Sequence, residues 1–222
     1  MDYATLVRCW RCADEHPVTL FCPHCQAIQQ LLPQVDYFSV FDLPRNPVVD
    51  EAVLTSRYYE LSRRLHPDLY QTGTSEEKEA SLKNTALLNR AYRTLRDLVQ
   101  RGQYWLELQG EQLGRDNNRV PPALAALVFE VQEQLADVRE ARAANKGTEV
   151  TAELATVRVE VQARFEQSCM TLEKNLAQWG NTNGTSGTSA LLQQLKTCLS
   201  EIAYLRTLLR DVDKESEASW NG

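Results

Sequence analysis

Residues 61–70, LSRRLHPDLY, decide how the rest of the sequence is interpreted. Apolar residues lead into this stretch at steps of four, three and four, at Leu54, Tyr58, Leu61 and Leu65. The spacing predicts one face of an amphipathic helix that starts near Asp50. Because Pro67 has no backbone N–H and disfavours helical geometry at His66, the helix is predicted to end there. His66, Pro67 and Asp68 should therefore occupy an exposed turn.

A second helix is predicted over residues 75–98, because Thr74 and Glu77 form a capping-box pattern at its start. Its core face is expected to contain Leu82, Leu87 or Leu88, Tyr92 and Leu95. Two helices joined by a short loop form a hairpin with His66 and Asp68 at its tip. The first of them adds three cations on its flank and outer side, Arg57, Arg63 and Arg64. Such a surface suits a protein partner.

Two shorter helices are predicted beside the hairpin. Residues 37–43 are apolar and are followed by the helix-breaking run Pro-Arg-Asn-Pro. Residues 103–109 form the other short helix, which ends at Gly110. Residues 35–112 are therefore predicted to form one helical domain.

The first 34 residues contain two Cys-x-x-Cys pairs, formed by Cys9 with Cys12 and by Cys22 with Cys25. Each pair can form a tight turn that aims both sulfurs at one point, and four thiolates suit a closed, tetrahedral Zn²⁺ site. A stretch this short buries little apolar surface, so a zinc-binding free energy of roughly 10 to 16 kcal/mol would fold it. Residues 1–34 are therefore predicted to form a structural zinc module.

Other interpretations of the four cysteines stay open at this point. Two disulfides would need an oxidising compartment, for which the sequence carries no export signal. A redox pair needs only one Cys-x-x-Cys, and iron could occupy the same four sulfurs. His16 and His24 are left out of the ligand set because four cysteines already complete it.

Length, charge and hydropathy restrict the class of protein. The 222 residues carry a net charge of −6, which does not favour a nucleic-acid partner. No apolar run reaches 18 residues, so no membrane association is expected. No nucleophile, base and orienting group cluster in the sequence, so an enzyme is not expected. We expect a soluble, mostly helical protein, and the sequence leaves a homo-oligomer open.

Residues 120–215 are predicted to form a three-helix bundle. Three apolar stripes with helical spacing cover residues 124–138, 154–179 and 191–212. A polar loop over residues 181–189 separates the last two helices. Cys169 and Cys198 fall on the apolar stripes and are expected to be buried thiols.

Phe129 does not follow the core stripe of its helix. At about 100° per residue it lies about 140° from the centre of that stripe. A large apolar residue that faces outward marks either a contact with another domain or a docking site for a partner.

The hairpin with its His-Pro-Asp turn, followed by Asn-Arg-Ala-Tyr-Arg-Thr-Leu-Arg-Asp over residues 89–97, resembles a J-domain. Residues 37–44 (YFSVFDLP) and 104–110 (YWLELQG) make it similar to the HscB family of iron-sulfur co-chaperones. Some members of that family, notably mitochondrial ones, also carry a Cys-Trp-x-Cys and Phe-Cys-Pro-x-Cys N-terminus, as this chain does. The resemblance departs from common J-domains at Leu98, where many have proline.

The resemblance implies an all-α co-chaperone: a J-domain hairpin, a C-terminal three-helix bundle and a small N-terminal zinc-binding module. It implies that the J-domain docks on a DnaK or HscA-type chaperone through His66, Pro67 and Asp68, with Arg57, Arg63 and Arg64 around them, and stimulates its ATPase. It also implies that the bundle binds the iron-sulfur cluster scaffold protein through five residues, Leu124, Phe129, Glu130, Glu133 and Phe165. Phe165 lies on its own core stripe, so periodicity alone does not expose it.

Two other functions compete with this one. A general J-protein would use the bundle or the zinc module for an unrelated client, and a metal-responsive or redox adaptor would use the thiols themselves. For the main hypothesis we expect the bacterial cytoplasm, or the mitochondrial matrix if the source is eukaryotic.

Overall fold

The computed structural model describes residues 6–31, 35–113, 120–143, 150–181 and 188–220. The chain folds into two compact units, Met1–Arg101 and Gly102–Gly222. In the described residues, helices predominate and the only sheet is a two-stranded one. The expectation of a mostly helical fold is therefore confirmed.

The first unit begins with a small antiparallel sheet. It pairs β1 (Leu6–Arg8) with β2 (Glu15–Pro17), so that Val7 faces His16. The helices that follow are α1 (Tyr37–Val40), α2 (Glu51–Leu65), a 3-10 turn (Pro67–Tyr70) and α3 (Ser75–Arg96). The side chain of Asp50 accepts hydrogen bonds at the start of α2, and Thr74 with Glu77 forms the capping box of α3, as predicted.

The next helix along the chain is α4 (Leu98–Leu108). The second unit continues with a 3-10 turn (Pro122–Leu124) and three long helices, α5 (Ala125–Ala143), α6 (Val150–Asn181) and α7 (Thr188–Trp220). These three helices pack into the predicted bundle. Its core contains residues from all three stripes, including Leu124, Val131, Leu135, Val161, Leu205 and Val212. Most of the predicted polar loop, residues 182–187, lies outside the described residues.

Three boundaries differ from the predictions. Helix α3 ends at Arg96 rather than at residue 98, because Asp97 is extended and its carboxylate accepts from Gln100 N (2.8 Å). Helix α4 therefore starts at Leu98, not at residue 103. Helix α1 stops after four residues, because Asp42 takes a left-handed φ of 52°.

Leu82 does not belong to the core face of α3, contrary to the prediction. Its side chain is 66% exposed, whereas Leu88 and Leu95 are fully buried. Leu82 lies six positions before Leu88, which places it about 120° away around the helix. The core face instead includes the small and polar residues Ser81 and Asn84.

Among the residues that the structure describes, no helix has both the length and the apolar character needed to cross a bilayer.

Candidate functional site

The N-terminal module brings the four predicted cysteine ligands together. All four Sγ atoms lie within 4.8 Å of one another, with Cys9 3.6 Å from Cys25 and Cys12 3.7 Å from Cys22. A tetrahedral ion with Zn–S bonds of about 2.3 Å places its sulfurs about 3.8 Å apart. A disulfide would need about 2.05 Å, and all four cysteines are free thiols. The arrangement therefore fits a closed four-thiolate metal site.

Two turns of the same shape build this site. In each, a backbone N–H returns to the carbonyl of the first cysteine: Ala13 N to Cys9 O (3.0 Å) and Gln26 N to Cys22 O (2.9 Å). Ala13 and Gln26 both adopt left-handed φ angles, of 61° and 59°. The repeated geometry aims both pairs of sulfurs at one centre.

The surroundings of Cys9 favour its thiolate. Burial raises the pKa of this thiol, but the N–H groups of Cys12 and Arg11, at 3.5 and 3.4 Å from its sulfur, and the thiols of Cys12 and Cys25 together lower it to about 6. For Cys12, a backbone hydrogen bond involving Asp14 lowers the pKa, whereas burial and the sulfurs of its neighbours raise it to about 12. Four sulfurs this close ionise together only with a cation among them.

Gln29 is a residue of the metal site that the sequence did not reveal. Its side-chain Nε2 donates to Cys9 Sγ (3.4 Å), and the residue is buried. The N–H of the Trp10 ring donates to Ile28 O (2.7 Å), which ties the first turn to the second. The group of side chains close enough to share a metal ion consists of the four cysteines and does not include His16 or His24.

The module is attached to helix α3 through Asn84, which is buried. Asn84 Nδ2 donates to Gln29 O (2.7 Å), and Asn84 Oδ1 accepts from Leu31 N (3.1 Å). One amide side chain thus satisfies a backbone acceptor and a backbone donor of the module.

The His-Pro-Asp turn lies where the sequence placed it, between α2 and α3. The side chains of His66 and Asp68 are 56% and 71% exposed. His66 Nδ1 lies 3.3 Å from Asp68 N, which donates to it, and 3.5 Å from the Asp68 carboxylate. Gln71 Nε2 donates to the other oxygen of Asp68 (3.1 Å). The turn therefore presents an oriented carboxylate to solvent.

Hydroxyl groups of α3 fix the end of α2 below the turn. The carbonyl of Leu65 accepts from Ser81 Oγ (2.7 Å) and from Thr85 Oγ1 (3.1 Å).

The hydroxyl of Tyr70 donates to Arg64 O (3.0 Å). Burial raises the pKa of Tyr70, as does Glu77, while Arg64 lowers it in part, so the phenol stays a donor. Further along the hairpin, the ring of Tyr58 stacks on that of Tyr92, with centroids 4.1 Å apart.

The three predicted arginines have different surroundings. Arg57 makes two long ion pairs, at 3.9 Å to Asp42 and to Glu60. Arg63 is exposed. The guanidinium of Arg64 lies 4.0 Å above the ring of Phe21, a cation–π contact with the metal-binding module.

The five residues proposed for the scaffold protein do not share one environment. Phe129 is 71% exposed, so it does not belong to the bundle core, and Glu130 and Glu133 are exposed. Leu124 is fully buried in that core, so its side chain has no free surface to offer a partner. Phe165 is half-buried, with the Arg206 guanidinium 5.7 Å from its ring centre.

Comparisons with known proteins identify the family. No family model matches the chain. The human iron-sulfur cluster co-chaperone protein HscB is 36% identical over 167 residues, which cover 72% of this chain and 71% of the human protein. This chain belongs to the HscB family. An HscB homologue from Aromatoleum aromaticum is 39% identical over 118 residues, 53% of this chain and 66% of that protein.

Solved structures agree with this assignment. The crystal structure of human HscB matches with a TM-score of 0.67 and 26% identity, and the match covers 94% of this chain and 98% of the human one. HscB from Vibrio cholerae matches with a TM-score of 0.61 at 24% identity, over 83% of this chain and 99% of that one, which shows that the fold is shared.

The geometry of the sulfurs predicts one metal ion per chain. Replacement of Cys9, Cys12, Cys22 or Cys25 by Ser should abolish metal binding, because a three-thiolate site is open and weak. Elemental analysis of purified protein should give one zinc for the wild type and none for each variant. Circular dichroism should show that the helices persist.

Cys169→Ser in the bundle is the matched control and should retain the zinc. A protein that contains two disulfides and no metal would refute this prediction.

Proposed function

We propose that this HscB chain binds the iron-sulfur cluster scaffold protein and delivers it to a DnaK or HscA-type chaperone while stimulating the chaperone's ATPase. The exposed His66–Asp68 turn at the tip of the helical hairpin, with its carboxylate oriented by Gln71, is the observation that carries the proposal. Residues 35–112 dock on the chaperone, and residues 120–215 hold the scaffold protein. The zinc module is structural, and the site of action is the bacterial cytoplasm or the mitochondrial matrix.

The turn is built to contact a charged partner. The carboxylate of Asp68 is 71% exposed, which suits a charge-assisted hydrogen bond with an arginine of the chaperone. Pro67 and His66 fix the backbone of the turn, since Pro67 restricts its own φ and His66 accepts the N–H of Asp68. Arg57 and Arg63 are exposed and would steer an acidic face of the chaperone toward the turn.

Phe129 is an exposed aromatic residue of the bundle that can serve as an anchor for the scaffold protein. Phe129 lies on the first turns of α5, with Glu130 and Glu133 close to it on the same helix. Aromatic residues that become buried in an interface contribute more binding energy than most contacts do. Phe165 adds a half-exposed ring, and Leu124 supports α5 from within the core.

Changes in the turn test the chaperone part of the proposal. His66→Gln or Asp68→Asn should abolish ATPase stimulation, because each removes a contact group from an exposed position. Thermal melting and scaffold binding should stay unchanged. Steady-state ATPase assays with the purified chaperone measure this.

Glu79→Gln, which neutralises an exposed carboxylate on α3 outside the turn, is the control and should stimulate like the wild type. Full stimulation by Asp68→Asn would show that the turn does not engage the chaperone.

Phe129 and Val131 test the scaffold part as a matched pair on one helix. Phe129→Ala should weaken scaffold binding by about 2 kcal/mol or more, the effect of losing an aromatic anchor, with little change in thermal stability. Val131 is 1% exposed, so Val131→Ala should lower stability by about 2 kcal/mol and leave affinity unchanged. Calorimetric titration and thermal melting measure both variants.

Equal effects of the two variants on binding would contradict a docking surface on this face of α5. If scaffold binding is absent altogether while ATPase stimulation is intact, the protein serves a different client.

A further inference from the structure

The cation–π contact between Arg64 and Phe21 connects helix α2, which leads into the His66–Asp68 turn, with the N-terminal cysteine module. Arg64 lies on the last turn of α2, two residues before His66. Phe21 directly precedes the metal ligand Cys22. The guanidinium lies 4.0 Å above the ring, close enough for both dispersion and electrostatic attraction.

The backbone of Phe21 is fixed by the metal-binding turn. Phe21 forms a β-bridge with Ile28, and its carbonyl accepts from Thr19 Oγ1 (2.8 Å). The neighbouring Cys22 N donates to Ala27 O (2.9 Å) across the same turn. The position of the ring therefore depends on the folded turn, which a metal ion bound by the four cysteines would stabilise.

Arg64 is in turn connected to the chaperone-docking turn. Its carbonyl accepts the hydroxyl of Tyr70, which closes the 3-10 turn that contains Asp68. The residue is thus held at both ends, by Phe21 at the guanidinium and by Tyr70 at the backbone. The contact between Asn84 and Gln29 independently holds the module on α3, and Gln29 also donates to the ligand Cys9.

We propose that the metal-loaded module is a positioning element for chaperone docking, in which Phe21 holds the guanidinium of Arg64 in place beside the His66–Asp68 turn. The inference rests on the proposed function. A guanidinium stacked on a ring keeps its N–H groups free at the edge, where an acidic residue of the chaperone binds them. Because the side chain is already ordered, docking loses less conformational entropy.

The size of the effect follows from the strength of the contact. Forming an exposed cation–π pair stabilises the paired state about two- to fivefold over the unpaired state. Loss of the ring should weaken chaperone affinity by about that factor, whereas loss of the Asp68 carboxylate should abolish stimulation.

Phe21→Leu and Phe21→Tyr in the full chain provide the test. Phe21→Leu keeps an apolar side chain but removes the ring, and it should weaken chaperone binding about two- to fivefold with unchanged zinc content. Phe21→Tyr keeps an aromatic ring and should keep wild-type affinity. If Phe21 acted only by apolar packing, Phe21→Leu should keep that affinity as well. Nuclear magnetic resonance should show a ring-current shift of the Arg64 Hδ protons in the wild type and in Phe21→Tyr, but not in Phe21→Leu.

Removal of zinc from the wild type by a chelator should abolish the ring-current shift and weaken chaperone binding by a similar factor. Arg64→Ala should weaken it too, and the double variant with Phe21→Leu should be no weaker than Arg64→Ala alone. If Phe21→Leu loses zinc, the comparison of the double variant with Arg64→Ala still shows whether the effect of Phe21 on chaperone affinity depends on Arg64.

Wild-type affinity for Phe21→Leu, or additive losses in the double variant, would overturn the positioning role and leave the proposed function intact. Full ATPase stimulation by Asp68→Asn would instead overturn the proposed function, and this inference with it.

Discussion

The carbonyl group of Leu65 is the point on which the hairpin and its loop depend. Leu65 is the last residue of α2, and the last carbonyl groups of a helix have no N–H partner within the helix. Ser81 and Thr85 of α3 donate to the Leu65 carbonyl from the buried side of the hairpin. Pro67 prevents the helix from continuing, so the chain must turn there. Hydrogen bonds hold the backbone of the turn, and the side chains of His66 and Asp68 are exposed.

The cluster of four cysteines illustrates how a short segment can obtain a fixed structure without a large core. Its sulfurs would repel one another as thiolates, and a cation bound among them would make the compact arrangement favourable. Once formed, the turns order Phe21 and Gln29 at the same time. These residues contact Arg64 and Asn84 of the helical hairpin, so the module is joined to the hairpin by specific contacts.

The helical bundle separates a structural face from an exposed one on each helix. On α5, Val128, Val131 and Leu135 are buried while Phe129 is exposed, as the period of about 3.6 residues requires. Leu124, at the end of the 3-10 turn before α5, is buried in the same core. A resemblance to a family can assign a residue to a binding site, but only the exposure of its side chain in the structure shows whether a partner can contact it.

The sequence by itself determined the features that depend on neighbours along the chain. These are the paired Cys-x-x-Cys turns, the Pro67 break, the cap of α3 and the apolar stripes of the bundle. It failed where two signals competed locally: it extended α3 past Asp97, whose carboxylate starts a new helix, and it put Leu82 in a core that Ser81 and Asn84 occupy instead.

Only the tertiary structure decided how distant segments meet. Asn84 and Gln29 are 55 positions apart, and nothing in either local pattern marks them as partners. The contact of Arg64 with Phe21 is equally invisible in the sequence, where Arg64 resembles any other solvent-exposed cation. The physical reason is that helical periodicity and turn chemistry act over a few residues, whereas these contacts exist only after the module has folded and lies against the hairpin.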